Sequence, residues 1–155
     1  LLRDFIEILY STGARYSEVM NLLRDDVDFE KKVGTFRDTK NGDDRTIPLA
    51  DNVLEILKRY PFGKTFFRVT SYDSYNWFFN QACKRAGVED FVSHDLRACF
   101  ITNALLSGMS EAAVAAISGH KDYRSMKRYT RIKAQDLIDD VNRISTIREL
   151  KKINS

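Results

Sequence analysis

Leu2, Phe5, Ile6 and Leu9 recur at the spacing of one helical face. The Thr12-Gly13-Ala14 break ends that helix, and a second short helix is predicted to begin near Ser17, so that the two bracket Arg15. The texture then changes. Val27-Asp28-Phe29, Val33 to Arg37 and Arg45-Thr46-Ile47-Pro48 are β-prone runs separated by Glu30-Lys31-Lys32 and by Asn41-Gly42. They predict a small antiparallel sheet in which Asn-Gly is the stronger turn signal, with Lys40 at the mouth of that turn.

Helical spacing returns downstream. Asp51 is a capping-type residue ahead of Val53, Leu54, Ile56 and Leu57, and this helix must stop before Pro61. Thr70-Ser71-Tyr72-Asp73 resembles a capping box, Tyr72, Asn76, Phe79 and Cys83 mark the stripe of the helix that follows, and Gly87 is placed to end it. Ser93 is positioned to cap the next helix, with Leu96, Phe100, Ile101, Ala104 and Leu105 as its buried side and Gly108 as its stop. Ser110 then starts an Ala-rich helix that ends at Gly119. From Ala134 onward, Leu137, Ile138, Val141, Ile144, Ile147, Leu150 and Ile153 stand among polar residues, an amphipathic tail with no following element to cover it. It either packs back on its own domain or docks on a neighbouring subunit. The fold class is therefore α+β: a mostly helical domain with a small three-stranded antiparallel sheet near its N-terminal third.

At 155 residues the chain fits one ordinary domain. A composition of 43% hydrophobic and 30% charged residues, with no apolar run near membrane-spanning length, excludes a membrane protein. Lys+Arg 25 against Asp+Glu 22 gives a net charge of +3, which permits nucleic acid without requiring it. The distribution says more than the total. Lys121, Arg124, Lys127, Arg128, Arg131 and Lys133 fall in one stretch interrupted only by Asp122, whereas Asp25, Asp26, Asp28 and Glu30 gather elsewhere. A basic face is predicted in the C-terminal third, against the plainer reading of a solvated charge run. Cys83 and Cys99 form neither a CxxC pair nor a secreted-type framework, which suits a reducing compartment. The chain opens at Leu1 inside a helical pattern, with no initiator Met and no signal-peptide layout, as an excised piece of a longer protein would.

Several residues carry candidate chemistry. His94 and Arg97 are three apart in a helix and share a face, which alone describes a solvated polar stripe. Ser118-Gly119-His120 ends a helix, and Tyr129 follows nine positions after His120 within Lys127-Arg128-Tyr129-Thr130-Arg131. A Tyr among cations could meet a phosphate, though a lone Tyr there is more often packing. Thr12 to Glu18 places Arg15 at a helix start beside a Gly that permits close backbone approach. Two planar guanidiniums, from Arg15 and Arg97, match the charge of a pentacoordinate phosphorane better than one. A zinc site built from His94, His120, Cys83 and Cys99 is the rival use of the two His residues, but the spacings fit no zinc pattern.

Taken in order, TGARYSE, TKNGDDRTIPL, SHDLR, SGH and the Tyr nine residues on resemble the C-terminal catalytic domain of tyrosine recombinases and phage-type integrases, from about Leu1 to Arg131. The resemblance implies site-specific recombination, integration and excision or resolution, through a covalent 3′-phosphotyrosine and a Holliday junction. Tyr129 would be the nucleophile, Arg15 and Arg97 would hold the scissile phosphate, and Lys40, its pKa lowered by neighbouring cations, would protonate the leaving 5′-oxygen. His94 would assist proton transfer from Tyr129, His120 would donate a hydrogen bond to a phosphate oxygen, and Glu18 would orient the site from behind by pairing with a cation or His. No metal, ATP or other cofactor is implied. The implied layout is a catalytic domain over residues 1–133 and a docking tail over 134–155, with a core-binding domain upstream of this chain. The implied partners are duplex DNA, contacted by Arg45, Lys121, Arg124, Lys127, Arg128 and Arg131, and three further protomers in a tetramer joined through Leu137, Ile138, Val141 and Ile144. The implied place is the nucleoid, in the cytoplasm. Type IB topoisomerases share much of this set but usually carry Lys where this chain has His94. A catalytically idle DNA-binding module of the same fold would have lost a catalytic residue, and none is substituted here.

Overall fold

The computed structural model of the chain describes residues 1–37, 44–67 and 71–120, together with positions 138 and 142. Lys40, the Asn41-Gly42 turn, Thr70, Tyr129, the basic residues Lys121, Arg124, Lys127, Arg128, Arg131 and Lys133, and the tail residues Leu137, Val141, Ile144, Ile147, Leu150 and Ile153 lie outside the described residues.

The described elements run α1 (Leu2–Thr12), α2 (Tyr16–Met20), a 3-10 turn (Arg24–Asp26), β1 (Val27–Asp28), β2 (Val33–Phe36), β3 (Arg45–Pro48), α3 (Asp51–Lys58), α4 (Tyr72–Arg85), α5 (Asp95–Leu106) and α6 (Glu111–Ser118). The three strands form one antiparallel sheet in the order β1-β2-β3, with Val27 opposite Gly34 and Phe36 opposite Arg45. This is the mostly helical α+β architecture the pattern predicts. Pro48 ends β3 at the sheet edge, where its missing N–H costs no ladder bond.

The main core gathers around α1. Phe5, Ile8 and Leu9 pack with Val19, Phe36, Ile47, Leu57, Phe67 and Tyr75, and a smaller cluster of Ile101, Ala104, Leu105 and Val114 joins α5 to α6. Gly13 ends α1 in the left-handed conformation at φ 63°, donating its N–H to the Leu9 carbonyl. A Cβ there would stand 2.4 Å from Cδ1 of Phe100, so both the backbone sign and the close approach of α5 require glycine.

Ser71 and Ser110 cap α4 and α6, their hydroxyls accepting the N–H groups of Ser74 and Ala113 at 3.1 Å. Ser93 does not cap α5. Its hydroxyl pairs with the Tyr75 hydroxyl at 2.7 Å, and α5 starts after His94 with no side-chain cap. Asp51 is likewise the first residue of α3 rather than its cap, and its carboxylate accepts from Lys32 Nζ at 2.7 Å. The stripe of α4 is also displaced: Tyr75 and Phe79 are buried while Tyr72 is half exposed. Tyr75 is the ring that reaches Phe5 at 5.1 Å and Tyr16 at 4.7 Å, and Tyr72 stacks outside Tyr16 edge-on.

Candidate active site

The turn after α1 delivers Arg15 to its place. Thr12 donates its hydroxyl to the Ile8 carbonyl at 2.6 Å and accepts the Ala14 N–H at 3.2 Å, which pins the chain as it leaves the helix. Arg15 then takes an extended backbone, φ −76° and ψ 153°, as the N-cap of α2. Glu18 sits in the first turn of α2 and reaches back. Its Oε2 accepts the Arg15 backbone N–H at 2.6 Å and its Oε1 accepts Arg15 Nη1 at 3.0 Å.

A second cation meets the same carboxylate. Arg45, at the start of β3, donates Nη1 to Glu18 Oε1 at 2.5 Å and Nη2 to Oε2 at 2.8 Å, while its Nε donates to the Ile117 carbonyl at 2.7 Å. Burial pushes the Glu18 carboxyl up, but the hydrogen bonds from Arg45 and from the Arg15 N–H, with the charges of both arginines, outweigh it and hold the carboxyl below its ordinary value. Arg45, expected to face DNA, instead points inward with only 11% of its side chain exposed, because the carboxylate and carbonyl that complete its fork lie inside.

Arg97 approaches from α5. It is 4% exposed, so the polar stripe suggested by its spacing is buried here, and its Nη1 donates to the Gly13 carbonyl at 2.7 Å. Its Nη2 stands 3.2 Å from Nδ1 of His120. Gly119 sets that histidine: at φ 74° it closes α6 in the left-handed conformation, and the N–H groups of Gly119 and His120 both reach the Ala115 carbonyl, at 2.8 and 3.1 Å. Ser118 Oγ donates to the Val114 carbonyl and lies 2.8 Å from the same Nδ1. That nitrogen can donate to Ser118 or accept from Arg97, but one tautomer cannot do both.

Arg15, Arg97 and His94 line one small cleft of about 70 Å³ together with Ala14, Tyr16 and Tyr72. His94 is exposed at the head of α5, and His120 joins the group through Arg97. Tyr16 was not singled out by the sequence, although it directly follows Arg15. Its hydroxyl is buried without a hydrogen-bond partner among the described residues, and burial followed by the neighbouring Tyr72 raises its pKa, so it remains a protonated donor at neutral pH. Two guanidiniums and the His94 imidazole around one cleft, with His120 behind Arg97, can bind a tetrahedral anion and move a proton beside it.

A larger groove of about 440 Å³ between α1 and α3 lacks that convergence: Arg59 pairs with Asp4 at 3.1 Å, and the neutral Asn52 amide donates to Glu7 at 3.0 Å. Among the described residues no three His, Cys, Asp or Glu side chains come together as a metal cluster, so His94, His120, Cys83 and Cys99 do not form the zinc site weighed from the sequence. No helix of the described residues is long and apolar enough to cross a membrane.

The sequence model of the phage integrase family matches residues 2–136. Tyrosine recombinase XerA of Saccharolobus solfataricus is 31% identical over 136 residues, covering 85% of this chain and 46% of that protein. Its namesake from Pyrococcus furiosus is 30% identical over 170 residues, covering 96% of this chain and 56% of that protein. The chain thus spans about half the length of the curated relatives it matches. Among solved structures, the crystal structure of XerA recombinase superposes with a TM-score of 0.73 at 21% identity, over 92% of this chain and 62% of that one. The catalytic domain of bacteriophage HP1 integrase gives 0.68 at 25% identity, over 90% of this chain and 79% of that one. The helical scaffold with its three-stranded sheet is the fold of those catalytic domains.

Proposed function

The chain belongs to the phage integrase family, and on that premise we propose that it is the catalytic domain of a site-specific DNA recombinase that cuts and rejoins strands through Tyr129. The observation that carries this reading is the convergence of Arg15 and Arg97, from separate elements, on one cleft edged by His94. Each is held by a partner behind it, Glu18 for the first and the Gly13 carbonyl for the second, which fixes both forks before a phosphate arrives.

In the proposed reaction the Tyr129 oxygen attacks the scissile phosphorus, a P–O bond to Tyr129 forms, and the bond to the 5′-oxygen breaks. The tyrosine proton passes to His94, and Lys40 donates the proton that completes the 5′-hydroxyl. Arg15, Arg97 and a hydrogen bond from His120 hold the charge that builds on the phosphoryl oxygens. The phosphotyrosine conserves the energy of the bond it replaces, so attack by a 5′-hydroxyl of another strand reverses the step without ATP. Lys121, Arg124, Lys127, Arg128 and Arg131 supply backbone contacts to duplex DNA, whose binding then weakens steeply with salt. Residues 1–133 form the catalytic domain and 134–155 a tail that joins protomers into a tetramer on paired sites through Leu137, Ile138, Val141 and Ile144. Described position Ile138 is 54% exposed, in keeping with an apolar face open to a partner. The place of action is the nucleoid.

A nicked suicide duplex tests the central step. The wild-type chain is expected to give an SDS-resistant protein–DNA adduct, and Tyr129→Phe to bind the duplex without trapping it. An undiminished adduct in the Phe variant overturns the assignment.

A further inference from the structure

We propose that Arg45 is a positioning residue that balances the charge of Glu18, so that Glu18 can hold Arg15 in place without cancelling its attraction for a phosphate. The proposal rests on the recombinase reading for the identity of the anion. Each carboxylate oxygen serves both arginines. Oε1 receives Arg15 Nη1 at 3.0 Å and Arg45 Nη1 at 2.5 Å, and Oε2 receives the Arg15 N–H at 2.6 Å and Arg45 Nη2 at 2.8 Å. Arg45 therefore makes the complete side-chain fork onto Glu18, while the guanidinium of Arg15 meets that carboxylate at the longer distance. Exposure follows the same order, 11% for the Arg45 side chain against 39% for that of Arg15. The inner cation neutralises the carboxylate and the outer one lines the cleft. Formal charge over Arg15, Glu18 and Arg45 is +1; with a neutral residue at 45 it is zero.

The seat for Arg45 is built to hold a guanidinium. The Ile117 carbonyl takes its Nε, the Phe36 ring lies 5.7 Å from its Cζ, and Gly119 leaves the space in which a Cβ would come within 3.0 Å of Nη1. Ile117 and Gly119 belong to the turn that carries His120, which in turn meets Arg97. One side chain on β3 thus braces the Arg15 side of the cleft electrostatically and the His120 side through the backbone. A lysine could supply the charge but not the fork.

Binding of the chain to intact duplex DNA, measured by fluorescence anisotropy across a salt series, separates this role from a purely structural one. Arg45→Met is expected to weaken binding about tenfold and to reduce the salt slope by about one, the signature of one lost phosphate contact. Arg45→Met combined with Glu18→Gln keeps the same altered packing at position 45 but restores the net charge, and is expected to recover most of the affinity and the slope. A folded double variant that binds no better than Arg45→Met overturns the proposal. If Arg45→Met does not fold, Arg45→Lys carries the test: binding within about threefold of wild type is expected, and a tenfold loss in a folded Lys variant overturns it. Intact duplex requires no cleavage, so a wild-type chain that binds but forms no adduct sinks the recombinase reading while the Arg45 comparison still stands or falls by itself.

Discussion

Two arginines stand at the same end of the sheet, Arg37 just after β2 and Arg45 at the start of β3. Both fork onto a carboxylate: Arg37 on Asp26, with Nε to Oδ2 at 2.8 Å and Nη2 to Oδ1 at 2.5 Å, and Arg45 on Glu18 at 2.5 and 2.8 Å. Their surroundings differ. Arg37 is half exposed and shares its charge with Asp44 at 3.5 Å, whereas Arg45 and Glu18 are almost wholly covered. The Asp26 carboxylate is only 8% exposed, but the guanidinium that meets it lies half open to water and salt, which screen the first pair and offset most of the attraction. The second pair gave up its hydration on folding. Removing one partner there strands a buried charge, even though an apolar pair of the same shape could serve stability equally well. What the buried pair adds is position, because its carboxylate also holds the backbone and side chain of Arg15.

Four substitutions would break or sharpen that contrast. The largest effect is expected for Glu18→Ala, which strands Arg45 inside the protein and should destabilise the fold by about 3–5 kcal/mol in urea unfolding. A loss under about 1 kcal/mol would put the buried pair on the footing of an exposed one. Gly119→Ala comes next. Its left-handed backbone costs about 1–2 kcal/mol for any L-residue, and the new Cβ would also press on Arg45 at 3.0 Å. Gly87→Ala is the control, since Gly87 has φ 68° with nothing within 4 Å of its Cβ position. The excess of the first over the second isolates the guanidinium contact, and equal losses would show that Arg45 yields without resistance. Arg37→Met should have the smallest effect, below about 1 kcal/mol and vanishing in molar salt. A larger, salt-independent loss would mean that exposure does not distinguish the two forks.

Much of the scaffold is legible in local pattern. Phe5 and Leu9 announce α1, Ser110 and Gly119 delimit α6, and the β-prone runs at Val33 and Arg45 pair as predicted. The misreadings share one cause. Helical spacing offers Tyr72 and Tyr75 almost equally as core residues, and only the position of Phe5 on a distant helix selects Tyr75. Ser93 has the chemistry of a cap, but the Tyr75 hydroxyl claims it across the fold. Arg97 reads as a surface residue until the Gly13 carbonyl, far away in sequence, supplies its buried acceptor.

The candidate site divides in the same way. Residue type and order, with the family resemblance they carry, brought Arg15, His94, Arg97 and His120 forward, because short motifs record which chemical groups are available and how far apart they lie along the chain. Which of those groups share a cleft, and which cation faces inward, is a matter of contacts between elements that no local pattern encodes. Arg45 shows it most clearly. The resemblance implied a DNA contact for it, and the sequence could not show that Glu18, Ile117 and Gly119 converge on it from two helices. A charged side chain is solvated by default, and only a complete set of partners assembled by the tertiary fold makes burying it tolerable.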